Sequence, residues 1–205
     1  MTEQELNELP SFYLSINPQT DGYVNAFAVT DDPAHESMYL AFSGEKEKQL
    51  FTASDARQEI LGAAIIPDKK ILRKPNQAFN AWHTVQFSAS DIRLMAKEFF
   101  KNGFQHNINF NHTTQSIPGY FFQSGIVGNG IGDIQVNQLS LPDGTWVLGA
   151  KIDDLNTYNS VKTFGFSAEG LFNYSVYQGF NVDGLDDEQL LIKDLKKIVQ
   201  YLKKR

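Results

Sequence analysis

The chain has no cysteine, which removes disulfide bonds, thiol catalysis and thiolate metal sites from consideration and permits a reducing compartment. It also lacks any apolar run near the roughly 18 to 20 residues that a membrane helix needs. Met1-Thr2-Glu3-Gln4-Glu5 carries neither the basic nor the apolar part of a signal peptide, so a soluble chain is expected. Positive charge is scarce: 18 Lys and Arg stand against 24 Asp and Glu, a net charge of -6. Nucleic acid is therefore a poor main partner, because phosphates call for a concentrated basic face. The only basic cluster, Lys193, Lys196, Lys197, Lys203, Lys204 and Arg205, reads as the solvated side of a helix. The histidines His35, His83, His106 and His112 are too scattered for a zinc site. The acid pairs Asp31-Asp32, Asp153-Asp154 and Asp186-Asp187 are adjacent and point apart rather than caging a cation. Neither a metal nor a cofactor is expected.

What is present suffices for a full core. A length of 205 residues suits one ordinary domain, and 16 Phe give it large apolar side chains. Alternation in Tyr23 to Val29 and in Met38 to Phe42 predicts short strands, with Asp31-Asp32-Pro33 and Ser43-Gly44-Glu45 as turns. Residues 59–66 read as a strand buried on both faces. A helix follows Ser88 or Ser90; Ser88 with Asp91 fits a capping box, Ile92, Met95, Ala96 and Phe99 form one face, and Asn102-Gly103 ends it. Two strands are predicted within 107–127 around a Thr/Ser/Pro/Gly loop from His112 to Gly119. The glycine-rich Gly128-Asn129-Gly130-Ile131-Gly132-Asp133 has no strand-to-helix context and reads as a flexible loop, not a phosphate cradle. A short helix is expected over 153–163 with Asp153 as cap and Leu155, Tyr158 and Val161 inward, followed by strand from Phe164 to Tyr177. The last helix carries Asp186-Asp187-Glu188 in its first turn, lysines late, and a stripe of Leu191, Leu195, Ile198, Val199 and Leu202. That stripe suits packing on the domain's own core, or contact with a second subunit or a scaffold segment. The periodicities together predict an α+β fold.

Two pieces of sequence carry chemistry. Gly165-Phe166-Ser167-Ala168-Glu169-Gly170 places a serine among glycines with an acid two residues on, and Asn109-Phe110-Asn111-His112 supplies an upstream histidine. A serine hydroxyl needs a base within about 3 Å, usually a histidine oriented by a third group. Read blandly, Ser167 is a small polar residue at a strand bend and His112 a loop histidine bonded to Thr113 or Thr114. On a strand Ser167 and Glu169 leave the same face, although so short a spacing restricts the reach of Glu169 to His112. Asp153, Asp183 and Asp186 are alternative orienting acids. His106 is the second choice of base, His83 reads as structural and His35 as solvated. Amides of Gly165, Gly170 and the loop 128–132 are candidates for an oxyanion hole.

These blocks, with Gly62 to Arg73, Val85 to Ile92 and the Pro142-Asp143-Gly144-Thr145-Trp146 hairpin, resemble the head-maturation (prohead) serine proteases of tailed bacteriophages, relatives of the herpesvirus assemblins. The resemblance spans about residues 60–172. It implies a β-barrel or strongly curved mixed sheet surrounded by about three helices. With the helix read from its own periodicity, the expected organisation is a protease-like barrel domain over 1–185 and an appended amphipathic helix over 186–205. Ser167 would be the nucleophile and His112 the base; assemblins use a second histidine as third member, and no histidine follows Ser167, so an acid, here Glu169, would replace it. The implied activity is serine endopeptidase cleavage of phage scaffold, capsid protein or the chain itself inside an assembling prohead in the host cytoplasm; activation by dimerisation through the last helix is an expectation that rests only on its apolar stripe. A capsid-associated or ligand-binding β-domain of the same fold without activity is the alternative. A general esterase is disfavoured because the serine lacks a G-x-S-x-G elbow.

Overall fold

The computed structural model describes residues 9–19, 22–33, 51–75, 80–136 and 139–176. The strand at Met38–Phe42, His35, the acids Asp183 and Asp186 and the helix expected over 186–205 lie outside these residues. In chain order the described elements are β1 (Ser11–Ser15), β2 (Tyr23–Thr30), β3 (Phe51–Ser54), β4 (Glu59–Ile65), β5 (Ile71–Arg73), β6 (His83–Gln86), α1 (Ala89–Lys101), a 3-10 turn (Phe104–His106), β7 (Ile108–Phe110), β8 (Gly119–Ile126), β9 (Trp146–Ile152), α2 (Leu155–Val161), β10 (Gly165–Leu171) and β11 (Asn173–Val176).

The helices follow from their caps. Ser88 Oγ accepts from Asp91 N at 3.1 Å and donates to Asp91 Oδ2, so one side chain satisfies an amide of the first turn and is itself satisfied. Ile92, Met95 and Phe99 then fall on one buried stripe, and Asn102 with Gly103, whose φ is 75°, stops α1. The cap of α2 is Asp154, not Asp153: Asp154 Oδ2 accepts from Thr157 N at 2.6 Å and from Thr157 Oγ1 at 2.7 Å. Asp153 instead commits its amide to Pro118 O at 2.9 Å. Tyr158 and Val161 are buried, whereas Leu155, the first residue of α2, is 53% exposed.

The architecture is mixed α+β and mostly sheet. Among the described residues the strands form three sheets in the orders β11-β1-β6-β5, β10-β2-β7 and β3-β4-β9-β8. Within them β1 runs parallel to β6 and β2 parallel to β7, while the other pairs are antiparallel. These sheets do not close into the expected barrel. Closure requires the edge strands to pair, and β10 runs alongside β4 while forming its ladder only with β2. Two α-helices, not three, are found among the described residues, because the expected third falls beyond them.

Phe27 organises the core. Its ring meets Trp146 at 5.1 Å, Phe99 at 5.4 Å, Phe121 at 5.7 Å and Phe166 at 6.3 Å, all edge-on, the arrangement aromatic quadrupoles favour. Trp146 is fully buried and its Nε1 donates to Ser124 Oγ at 2.9 Å. Side chains alternate across a strand, so the register Phe166–Val29 and Ala168–Phe27 turns one face of β10 and β2 into this cluster. The opposite face presents Ser167, Ala28 and, one strand further, Asn109.

Candidate active site

The histidine is placed by a tight turn. Thr113 N donates to Phe110 O at 3.0 Å, and the two central residues, Asn111 and His112, have φ of 50° and 57°. Positive φ at both central positions is the signature of the type I′ turns that join antiparallel strands. Here the turn links β7 to a returning segment through the Asn109–Ser116 bridge and Ile117 N to Ile108 O at 2.9 Å. The loop expected from His112 onward is thus the second half of a hairpin. Left-handed backbone is unfavourable for residues other than glycine, with Asn and His among the more tolerant. Thr113 Oγ1 reinforces the turn by donating to Phe110 O at 2.6 Å.

The acid is placed by a bulge. The β10–β2 register slips between Glu169 and Gly170, so that Glu169 pairs with Ala26 but Gly170 with Val24. Bulges re-aim side chains. Gly170 is required there, since a Cβ would stand 2.0 Å from Tyr23 O. Glu169 Oε1 lies 2.8 Å from His112 Nδ1 and accepts from Asn109 Nδ2 at 2.9 Å. With a carboxylate as acceptor, Nδ1 carries the ring proton and Nε2 is left to accept one. Both side chains are partly open to solvent, 44% for His112 and 30% for Glu169. Asn109 Oδ1 and Asn111 Oδ1 are buried without a hydrogen-bond partner among the described residues, two acceptors suited to incoming N–H groups.

Ser167 shares a strand face with Glu169, two residues and about 7 Å along β10. Its residue is 2% exposed, and among the described residues its hydroxyl forms no hydrogen bond to His112 or any other group. The structure therefore joins Glu169, His112 and Asn109, and sets Ser167 on the same strand face without a hydrogen bond to any of them. Ser167 lines a small, partly open cavity of about 20 Å³ with Ile65, Ile71, Arg73, Phe87 and Phe172.

The other candidates separate clearly. His106 ends the 3-10 turn, with its ring centroid 5.9 Å from that of Tyr120. His83 is fully buried on β6, with Nδ1 2.9 Å from Ala81 O. Asp153 makes no hydrogen bond to His112 among the described residues. The loop 128–132 is filled by its own chain, for Asp133 accepts from Gly130 N at 3.0 Å and pairs with Arg93. The Arg93 guanidinium, helped by that amide, holds the Asp133 carboxyl below its ordinary range. No group of metal-ligating side chains occurs among the described residues, and no described helix is long and apolar enough to cross a membrane.

Sequence reasoning missed Asn109. It stands in the same short stretch as His112, but a strand asparagine three residues before a histidine signals a carboxylate clamp only once the β10–β2–β7 register is known. Neither family models, curated proteins nor solved structures gave any match to this chain.

Proposed function

We propose that this chain is a serine endopeptidase in which Ser167 attacks the scissile carbonyl, His112 Nε2 takes the hydroxyl proton and returns it to the leaving amine, and Glu169 holds the imidazole. The observation that carries the reading is the 2.8 Å pairing of His112 Nδ1 with Glu169 Oε1, made from the strand face that also presents Ser167. The carboxylate fixes the tautomer and stabilises the imidazolium formed as the proton moves. Asn109 acts through Glu169 by occupying the same oxygen as His112. The bond from His112 to Ser167 is not formed in this state; catalytic hydrogen bonds are often long in unliganded enzymes and tighten around substrate. The biological substrates, phage scaffold, capsid protein or the chain itself during prohead maturation, rest on the sequence resemblance alone.

A non-catalytic capsid-associated or ligand-binding domain has one observation in its favour, the burial of Ser167 without a hydrogen bond to a base. Intact mass after a fluorophosphonate probe decides between them. A single adduct lost in Ser167→Ala and in His112→Ala supports the protease; an unmodified wild-type protein, tested concentrated and together with candidate scaffold, rejects it.

A further inference from the structure

We propose that the outer edge of β8 is a self-association surface, on which a second copy of this chain pairs its own β8 about a twofold axis; the proposal does not depend on the catalytic reading. The sheet β3-β4-β9-β8 ends at β8, whose ladder runs only to β9. Among the described residues no backbone hydrogen bond leaves the other side of this strand between Tyr120 and Gly125. The open stretch is bounded at one end by the His106 ring, 5.9 Å from that of Tyr120, and at the other by Ile134, which bridges to Val127. Unpaired edges normally carry a lysine, a proline or another device that turns a second strand away. This one reads Tyr-Phe-Phe-Gln-Ser-Gly, with Tyr120 38% and Phe122 48% exposed. Its one irregularity is the bulge between Phe121 and Gln123, which confines regular pairing to a few residues.

Charge selects the occupant. From Asn102 to Gly132 the chain holds no Asp, Glu, Lys or Arg, where its average of 20% charged residues would put about six. All 24 acids and 18 bases lie elsewhere. A basic partner gains most on the acidic remainder of the molecule, not here. Two copies, each of net charge -6, repel overall and meet at lowest cost where neither carries charge. Depletion of Asp, Glu and Lys around exposed aromatics is also the composition of interface cores. A twofold axis between Phe122 and Gln123 sets Tyr120 of one copy opposite Gly125 of the other, an aromatic ring across from a residue with no side chain of its own. Ile134 already fills the space that a Cβ on Gly125 would need, with Cδ1 2.4 Å away, and gives that ring an apolar surface to lie against. Six residues of edge span about 20 Å. Such a strip is smaller than the roughly 800 Å² per partner of a standard interface, so the contact is a weak one.

Sedimentation velocity of the full chain over about 1–300 µM is expected to show a monomer–dimer equilibrium with Kd on the order of 10–100 µM, the weak end that suits so small a contact. Raising salt from about 0.05 to 0.5 M should tighten it, because screening relieves the repulsion between like-charged copies. Phe122→Lys, at a half-exposed side chain, is expected to weaken the dimer about tenfold or more with the urea midpoint unchanged. Gln123→Lys, at an exposed polar residue of the same edge, makes the same test if Phe122→Lys does not fold. Amides within 120–125 should gain hydrogen-exchange protection as concentration rises. Leu195→Lys, in the apolar stripe of the last helix, is expected to leave the dimer intact. A wild type that stays monomeric throughout the range overturns the proposal, as does a dimer undiminished in both β8 variants or one that loosens with salt. No added protection at 120–125 would overturn it too. Loss of the dimer in Leu195→Lys alone assigns the contact to the last helix and ends the case for β8.

Discussion

Replacing Gly170 with alanine tests the bulge that aims Glu169. The added Cβ would meet Tyr23 O at 2.0 Å, Tyr23 C at 2.9 Å and Val24 Cα at 2.9 Å, all of them backbone. None can swing away as a side-chain end does. Relief to ordinary contact demands that β10 and β2 separate by about 1 Å or that the bulge migrate, and overpacking of this kind costs about 1–3 kcal/mol. A separation of that size also lengthens the ladder on either side of the bulge, where each lost hydrogen bond costs about 1 kcal/mol. The expected total is at least about 2 kcal/mol, which in a domain of this size lowers Tm by about 4–8 °C. Urea unfolding followed by tryptophan fluorescence, which reports on buried Trp146, measures it directly. A midpoint within the equivalent of about 0.5 kcal/mol of wild type, the range of neutral surface substitutions, refutes the claim that this glycine is sterically required. On the proposed mechanism the same variant should also lose hydrolysis out of proportion to its stability, because Glu169 is carried by the displaced residue pair.

Other consequences are equally direct. Tyr158, buried and donating to Asp55 Oδ1 at 2.9 Å, has its pKa pushed up to about 12, by burial first and by Asp55 second. Its stabilisation is whole below the unfolded value near pH 10 and declines as pH rises from there toward 12; an absorbance titration at alkaline pH should show one late tyrosine that vanishes in Tyr158→Phe. Ser88→Ala removes the cap of α1 and should cost about 1 kcal/mol, read by denaturant midpoint, whereas Ser90→Ala should be near neutral. Phe27→Ala empties the centre of the aromatic cluster and should cost about 3–5 kcal/mol, enough to unfold a marginal domain. Asn109→Ala frees Glu169 Oε1 from its amide donor; on the proposed mechanism, kcat in a peptide-cleavage assay should fall with KM little changed, and an unchanged kcat would remove Asn109 from the site.

Helix α1 was legible because its signals are local: Ser88 and Asp91 sit at capping distance, and the stripe Ile92, Met95, Phe99 repeats at helical spacing. Helix α2 was displaced by one residue because Asp153 and Asp154 are chemically equivalent in sequence. Only the competing bond from the Asp153 amide to Pro118 O and the presence of Thr157 three residues after Asp154 choose between them. The hairpin turn at Asn111-His112 escaped notice because two consecutive left-handed residues without glycine contradict ordinary turn chemistry. Barrel closure was not readable at all, since it depends on which edges pair across long stretches of chain. His112 and Glu169 came from two separate blocks of sequence, 57 residues apart, whereas the role of Asn109 depends on a neighbour in space, Glu169, 60 residues away.

The sheet β10-β2-β7 draws its strands from residues 165–171, 23–30 and 108–110, and β1 is held between β6 and β11, from positions near 85 and 175. Pairings so distant in sequence form slowly and late. During synthesis the candidate base emerges well before the candidate nucleophile, and the strand that carries Ser167 and Glu169 has no ladder until it meets β2. On the proposed mechanism the catalytic group would therefore be incomplete through most of the chain's own translation, and the order in which the strands appear would set the moment at which it is assembled.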